Sequence, residues 1–385
     1  MSCPPSNPSS PSTDSVESWK RKYNILEERY ALSQELGLKA KNQKTLGRGL
    51  RRVIDMFYSA RDLVQENDRH EEALGNGRDA SEFTAEQNAM IRSYEELVAR
   101  IPLVKTLVEQ GEVDSLEALY KNLRAGSDMA RGDDANNLKA AVVTWVNDLY
   151  GPSDPVLKAN SKDERGLANN HTGRLLCPGE YCWDDESVRT HIRDGHKDYV
   201  VDAHSWPIFC YANFVCDNSD IEKGLWKSAL LVKAFKSIFT SPSSATNKMQ
   251  HDIEDAPAAK RPKKSSTATR SDVTSLIGLT TVTPRAIAYT AVQLHFALSN
   301  ANTWRVVDVD FDHMEFYRAI IDYFDVTPGP VARAHIDGLL AWWNRKVFGR
   351  VTGTARASSR RAGASVSRLQ AQRKTREDAA LVSST

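Results

Sequence analysis

The chain has 385 residues, 41% of them apolar and 26% charged, with a formal net charge of +1, which allows one or two domains with a real core plus polar tails. No apolar run approaches the roughly 18 residues that cross a bilayer, and the Ser- and Pro-rich start lacks a signal peptide's apolar core. We therefore expect a soluble protein without a membrane partner that is not exported by that route. Five cysteines, an odd number in a long chain, argue against a secreted disulfide framework.

Charge is sorted along the chain, so the net value hides local differences. Residues 18–52 carry ten Lys and Arg against three acids, and residues 53–138 carry nine against eighteen. Residues 338–376 carry ten Lys and Arg and no acid. Blocks dominated by one sign are typical of charged faces and of interaction tails.

Residues 1–15 are rich in Ser and Pro and are predicted to be disordered. Residues 16–151 are predicted to form a helical interaction region that ends at Gly151. Within it, residues 18–36 and 50–74 have the apolar spacing of helices. Because sustained heptads are absent, we expect antiparallel helix hairpins, with a short coiled coil as the alternative.

Capping signals predict two further helices in this region. Thr84 with Gln87, and Asp114 with Glu117, have the spacing of a capping box. The apolar positions of the first of these helices continue as far as Leu107. We therefore expect one helix across that stretch and a second that begins at Asp114.

The second half predicts a different architecture, in which apolar helices are buried. Residues 152–173 are polar and are expected to form a connector. Residues 174–349 are dense in apolar and aromatic side chains and predict a helical domain, interrupted by a low-complexity insert at 243–272. Residues 350–385 are predicted to be a basic disordered tail. The fold class is thus mainly α.

The strongest helix signal is VTPRAIAYTAVQLHFALS at residues 282–299. Thr283 can cap this helix, and Pro284 suits its first position because its missing N–H is not needed there. A helix that is apolar almost all round is a core helix. Arg285 lies in the first turn, where the helix dipole disfavours a cation, so we expect it to have an acidic partner or a bound anion.

Five sequence blocks in the second half resemble a domain of unknown function that is abundant in mushroom-forming fungi. The resemblance covers residues 174–349, and its blocks are CPGEYCWDDESVRTHIRDG, GLWKSALLVKAFKSIFTSPSSA, VTPRAIAYTAVQLHFALS, FDHMEFYRAIIDYF and LLAWWNRKVFG. It implies no known activity, cofactor or catalytic residue. In that family an acidic residue often stands at the position of Cys182.

Cys177, Cys182, His191 and His196 have the pattern Cys-x4-Cys-x8-His-x4-His and are the candidate zinc ligands. The gap between the pairs is shorter than the roughly 12 residues of a ββα finger. On one helix the two histidines would lie about 140° apart around the axis. We therefore favour ordinary core or surface roles for these residues and predict no metal site.

Asp308, Asp310 and Asp312 alternate before a predicted helix and are the strongest candidates for a catalytic metal site. They resemble the start of a calcium loop, but His313 stands where that loop needs its turn glycine. Helix capping by Asp312 explains the pattern better. The alternative function that these carboxylates keep open is a metal-dependent enzyme acting on nucleic acid.

A second acidic cluster, Asp184, Asp185 and Glu186, is typical of a helix N-terminus. We expect Arg285 or Arg189 to be its ion-pair partner. No nucleophile elbow, phosphate-binding loop, dinucleotide fingerprint or His-Glu-x-x-His motif is present in the sequence. The sequence therefore favours a protein without enzymatic activity and predicts no cofactor.

Two basic segments carry the clearest functional signals. Lys260, Arg261, Lys263 and Lys264, with Pro262 between them, suit the acidic grooves of a nuclear import receptor. The C-terminal segment carries cations that could contact nucleic-acid phosphates, namely Arg356, Arg360, Arg361, Arg368, Arg373, Lys374 and Arg376. Each segment is also explained by a plain solubilising role.

These observations favour a non-enzymatic, nuclear interaction protein with protein partners and non-specific nucleic-acid contacts through its basic segments. A cytoplasmic location is the alternative to the nucleus. A structural assembly module is a third alternative for the function. The sequence leaves the partners and the oligomeric state open.

Overall fold

The computed structural model of the chain describes residues 21, 23, 39–240 and 278–349. The described residues are mainly helical, which confirms the predicted fold class. The predictions of disorder at 1–15, 243–272 and 350–385 fall outside the described residues, as does the predicted helix at 18–36 apart from residues 21 and 23.

In chain order the helices are α1 (39–53), α2 (Ala60–Gly75), α3 (Ala85–Arg100), α4 (Pro102–Glu109), α5 (Val113–Tyr150), α6 (Asn170–Leu176), α7 (Glu186–Arg193), α8 (Ala229–Phe239), α9 (Pro284–Leu298), α10 (His313–Asp325) and α11 (Pro330–Phe348). Two short strands, β1 (Val307–Asp308) and β2 (Phe311–Asp312), form an antiparallel hairpin before α10. None of the helices in the described ranges is long and apolar enough to span a membrane.

Helix α9 is the centre of the molecule. Every residue from Arg285 to Leu298 is buried, and the helix packs against α5, α8 and α10. Its start is as predicted, since the Thr283 side chain accepts a hydrogen bond from the Ala286 N–H and Pro284 takes the first position. An apolar surface on all sides therefore places this helix in the core.

Several predicted helices of the first half are shorter or longer than expected. The capping box of Thr84 and Gln87 is confirmed, but α3 ends at Arg100 because Pro102 starts a separate helix, α4. The second predicted helix is present as α5, but it begins at Val113 without a side-chain cap, so the capping role predicted for Asp114 is wrong.

The predicted helix at 50–74 divides as well, because residues 54–59 are not helical and separate α1 from α2. Asp55 holds this turn, and its carboxylate accepts hydrogen bonds from the N–H groups of Phe57 and Tyr58, each at 2.8 Å. A short polar side chain that binds backbone two and three residues ahead competes with the helix.

One hydrophobic core runs through the described parts of the chain. It contains Leu50 of α1, Val146 of α5, Leu294 of α9 and Trp343 of α11. The core therefore does not divide near residue 151, where the sequence led us to expect two separate regions. The helical first half and the apolar second half bury their side chains against each other.

Two cationic side chains of the expected connector at 152–173 are buried. Arg165 is 1% exposed and donates hydrogen bonds to the carbonyl oxygens of Ala297, at 2.7 Å, and Lys139, at 2.7 Å. Lys162, 2% exposed, donates to the carbonyl oxygens of Phe296 and Ala301. Arg165 and Lys162 thus cap carbonyl groups in the last turn of α9.

Helices α1 and α5 cross with their backbones in contact. A Cβ atom added to Gly126 would lie 1.9 Å from the carbonyl oxygen of Lys44, and one added to Gly47 would lie 2.1 Å from that of Leu123. Ser127 donates a hydrogen bond to the Gly47 carbonyl at 2.8 Å. Only glycine permits this approach, which brings the basic face of α1 onto α5.

At this crossing the basic residues of α1 meet acidic residues of α5. The pairs are Arg48 with Asp133, Arg51 with Asp128, and Arg52 with Asp134. The third pair is bidentate, with both nitrogen–oxygen distances at 2.7 Å, and its side chains are 2% and 4% exposed. Three of the ten Lys and Arg of residues 18–52 therefore pair with acids of α5, and one of these pairs is buried.

The buried pair also holds α9. The Tyr289 hydroxyl donates to the Asp134 carboxylate at 2.8 Å, and the Gln293 amide donates to the Tyr289 oxygen at 3.2 Å. Burial, followed by the Asp134 charge, raises the pKa of Tyr289 well above its ordinary value, so the hydroxyl keeps the proton that it donates. Arg52, Asp134 and Tyr289 thus join three helices through one carboxylate.

Asp134→Asn is expected to destabilise the fold strongly, because it leaves the Arg52 guanidinium buried without a counter-charge. Removing one partner of a buried pair costs about 3–5 kcal/mol. Asp133→Asn, one residue earlier, breaks a pair whose side chains are 27% and 56% exposed and should cost at most about 1 kcal/mol. Guanidinium unfolding of both variants measures the difference, and equal midpoints for the two would contradict the role given to the buried pair.

Candidate functional site

A groove open to solvent lies between α2, α4 and the start of α5 and holds about 240 Å³. Its position follows from the turn between α4 and α5. Gly111, with φ of +66°, takes a left-handed conformation that a side chain would disfavour, and the chain reverses there into Val113. Apolar side chains of α4 and α5 remain partly exposed there.

The floor of the groove is apolar. Val64 of α2 and Tyr120 of α5 form its buried part, while Leu107, Val108 and Leu116 are only half-buried. At the rim, Val113 is 67% exposed. These side chains belong to the main core on one side and leave apolar surface uncovered on the other.

The rim is acidic. Arg61 pairs with Glu117 across the groove and lies over the ring of Tyr120, 5.4 Å from its centroid. Asp68 and Glu112 also line the groove, and no Lys or Arg of the described residues pairs with either carboxylate. The lining therefore holds three acids and one cation.

Burial is the main cause of three raised pKa values near the groove, and neighbouring carboxylates add to it. Partial burial, and then the neighbouring carboxylate of Glu71, raise the pKa of Asp68. Burial, and then the charge of Asp68, raise the pKa of Tyr120 to about 12. Burial raises the pKa of Tyr94 too, and Glu71 and Asp68 add to the effect. Like charges disfavour further ionisation, so the carboxylates of Asp68 and Glu71 add to the effect of burial.

The apolar and acidic lining of the groove suits binding of another molecule. The lining residues that the structure describes include no histidine, cysteine, serine or lysine. The volume is below the roughly 300–1,000 Å³ of pockets that enclose a small molecule. The groove thus suits an anchoring side chain of a larger partner.

Sequence reasoning missed this groove, although it contained one signal. The excess of acids in residues 53–138, eighteen against nine cations, includes the acids of the rim. Three of the remaining acids, Asp128, Asp133 and Asp134, are paired with α1, so charge counts alone do not tell which acids stay free.

A smaller cavity of about 20 Å³ lies beside the start of α9 and is lined in part by Asp55, Ser93 and Arg285. It has room for about one water molecule. The Asp55 carboxylate already accepts a hydrogen bond from Ser93 at 2.9 Å as well as two from backbone, and burial raises its pKa. This cavity lies where α3, α9, α10 and the turn that follows α1 meet.

The expectation that Arg285 has an acidic partner is confirmed, but that partner is Asp325, at 3.8 Å. The proposed pairing of Arg285 or Arg189 with the acidic cluster at 184–186 is wrong. Asp184 pairs with Arg174 instead, and Arg189 donates to backbone carbonyls.

Helix capping explains the rest of that cluster. The Asp185 carboxylate accepts the Ser187 N–H at the start of α7, in the N-cap role that the sequence predicted for this cluster.

Of the four candidate zinc ligands, Cys177 is buried in a small hydrophobic cluster, separate from the main core, with Trp183, Val188 and Ile192. Cys182 is exposed. Burial raises the pKa of the Cys177 thiol to about 12, so it holds its proton. Among the described residues, no three His, Cys, Asp or Glu side chains are grouped to hold a metal ion.

His196 does not continue the helix that carries His191, contrary to the geometry that we assumed. Helix α7 ends at Arg193, and Gly195, with φ of +67°, turns the chain back. The His196 N–H donates to the His191 carbonyl at 2.9 Å, and the two rings lie 4.9 Å apart between centroids. A left-handed glycine after the helix produces this reversal.

Asp308, Asp310 and Asp312 lie on the β1–β2 hairpin. Asp312 accepts hydrogen bonds from the N–H groups of Met314 and Glu315 at the start of α10, as the capping prediction required. Asp308 and Asp312 are on opposite strands, and Asp310 is in the turn between them. The carboxylate of Asp312 is thus committed to the helix.

The basic segments fall outside the described residues. This holds for Lys260, Arg261, Lys263 and Lys264 and for every candidate phosphate contact beyond residue 350. Their roles stay predictions.

Comparison with known proteins concerns the second part of the chain. Residues 125–348 match a family of unknown function, DUF6698, over more than half of the 385 residues. The match begins inside α5, before the first of the five resembling blocks, and ends with α11. It includes all five blocks except Gly349, the last residue of the fifth. No curated protein and no solved structure matches the chain. The groove residues precede the matched residues in sequence. By this match, the chain belongs to the family DUF6698.

Proposed function

We propose that this protein is a non-enzymatic interaction protein whose N-terminal helices bind a protein partner. The observation that carries the proposal is the open groove with its apolar floor and acidic rim. Apolar surface that remains uncovered beside a well-packed core is typical of recognition sites. The buried charges of Arg52 and Asp134 lie outside the groove and hold helices together.

Val113→Arg is expected to reduce partner capture by at least about tenfold, because it places a guanidinium group against apolar surface that the partner would cover and adds no acid to the rim. Val331→Arg is the matched control, since Val331 is also in the first turn of a helix and is 83% exposed outside the groove. Tagged full-length variants are compared by quantitative mass spectrometry of the co-purifying proteins. Partners retained equally by both variants would remove the groove from the proposal.

The proposed site of action is the nucleus. Four cations in five residues, Lys260, Arg261, Lys263 and Lys264, support recognition by an import receptor, whose grooves are acidic. Changing all four to Ala should exclude a fluorescent fusion from the nucleus, as measured by imaging. Unchanged nuclear accumulation would show that this segment is not the signal.

The proposal also includes non-specific nucleic-acid contacts through residues 351–376. The segment has cations without acids, which neutralise phosphates but cannot select bases. With about five contacts, the logarithmic salt dependence of duplex binding should have a slope of about −4 to −5. Deleting the segment should flatten the slope, and an unchanged slope would leave the segment with a solubilising role alone.

A further inference from the structure

We infer that the groove between α2, α4 and α5 binds a short basic segment of a partner protein that carries an apolar anchor. The inference rests on the proposed interaction function and names the chemistry of its partner. Three features of the groove carry it, namely the floor, the free acids and the balance of charge around them.

The floor selects an apolar side chain. Leu107, Val108 and Leu116 leave carbon surface open, and Tyr120 closes the bottom of the groove. A leucine, methionine or phenylalanine inserted there would remove this surface from water on both partners. The volume of about 240 Å³ matches an anchor of this kind.

The free acids select cations on either side of the anchor. Asp68 comes from α2 and Glu112 from the turn before α5, so they line the groove from different elements. Neither pairs with a Lys or Arg of the described residues, whereas Glu117 is occupied by Arg61. A lysine or arginine of the partner would therefore meet a carboxylate that has no competing cation.

The surroundings strengthen this selection. Lys105, the cation of α4, is paired with Glu109 at 3.8 Å, and Glu71 adds a further acid next to Asp68. An acidic segment with the same anchor would meet like charges, which is the repulsive element that gives specificity. Electrostatic attraction would also raise the association rate at low salt.

The test uses the full chain and three fluorescent peptides of equal length. One has leucines between lysines, one has the same leucines between glutamates, and one has the lysines with serines in place of the leucines. Fluorescence anisotropy at low salt should show binding of the first peptide, weak binding of the third and none of the second. Equal binding of the glutamate peptide would overturn the inference.

Variants then locate the binding. Asp68→Asn with Glu112→Gln should weaken binding of the lysine–leucine peptide about fivefold, the combined effect of two partly exposed ion pairs. Glu95→Gln with Asp337→Asn is the control, since both residues are exposed and lie outside the groove. Equal weakening by both pairs would indicate non-specific attraction and overturn the site.

Two further outcomes separate this inference from the proposed function. Loss of partner capture in Val113→Arg without binding of the lysine–leucine peptide by the unmodified chain would leave the interaction function in place and overturn the basic partner. Stronger peptide binding after deletion of residues 243–272 or 350–385 would identify a basic segment of this chain as the occupant, which also overturns a separate partner.

Discussion

The ion pair between Arg52 and Asp134 is the contact on which the arrangement of the other helices depends. Both side chains are almost fully buried, and taking two charges out of water is costly unless their geometry is good and the remaining lone pairs are satisfied. Here the pair is bidentate, and Tyr289 donates to the same carboxylate. The position of α9 against α1 and α5 is thereby specified by hydrogen bonds as well as by packing.

This contact requires the glycines at the crossing of α1 and α5. Gly47 and Gly126 let the two backbones touch, and the arginines of α1 can then reach Asp128 and Asp134, which follow Gly126 on α5. A side chain at either glycine would separate the helices and leave the arginine short of its partner. Small residues at one position thus make a buried ion pair possible at another.

The segregation of charge along the chain has two outcomes in three dimensions. Basic residues of α1 neutralise acids in the middle of α5, and this use is structural. Acids on α2 and before α5 lie beyond the reach of α1 and stay at the rim of the groove. The region that matches the family begins after the groove residues. The proposed partner site therefore precedes that region in sequence, although its buried side chains belong to the same hydrophobic core.

Local sequence alone determined the features that depend on neighbouring residues. These include the all-round apolar helix α9 with its Thr283 cap, the capping box of α3, the Asp312 cap of α10 and the end of α5 at Gly151. The five blocks also identified a family of unknown function. Caps and periodicity act within one or two turns, which is why they are visible in the sequence.

Tertiary structure decided everything that joins distant residues. Arg52 and Asp134 are 82 positions apart, and Arg165 caps a helix whose last turn is 132 positions away. Their pairing depends on which helices approach each other, and no local pattern specifies this. The groove is of the same kind, because its acids come from separate elements and no Lys or Arg of the described residues pairs with Asp68 or Glu112.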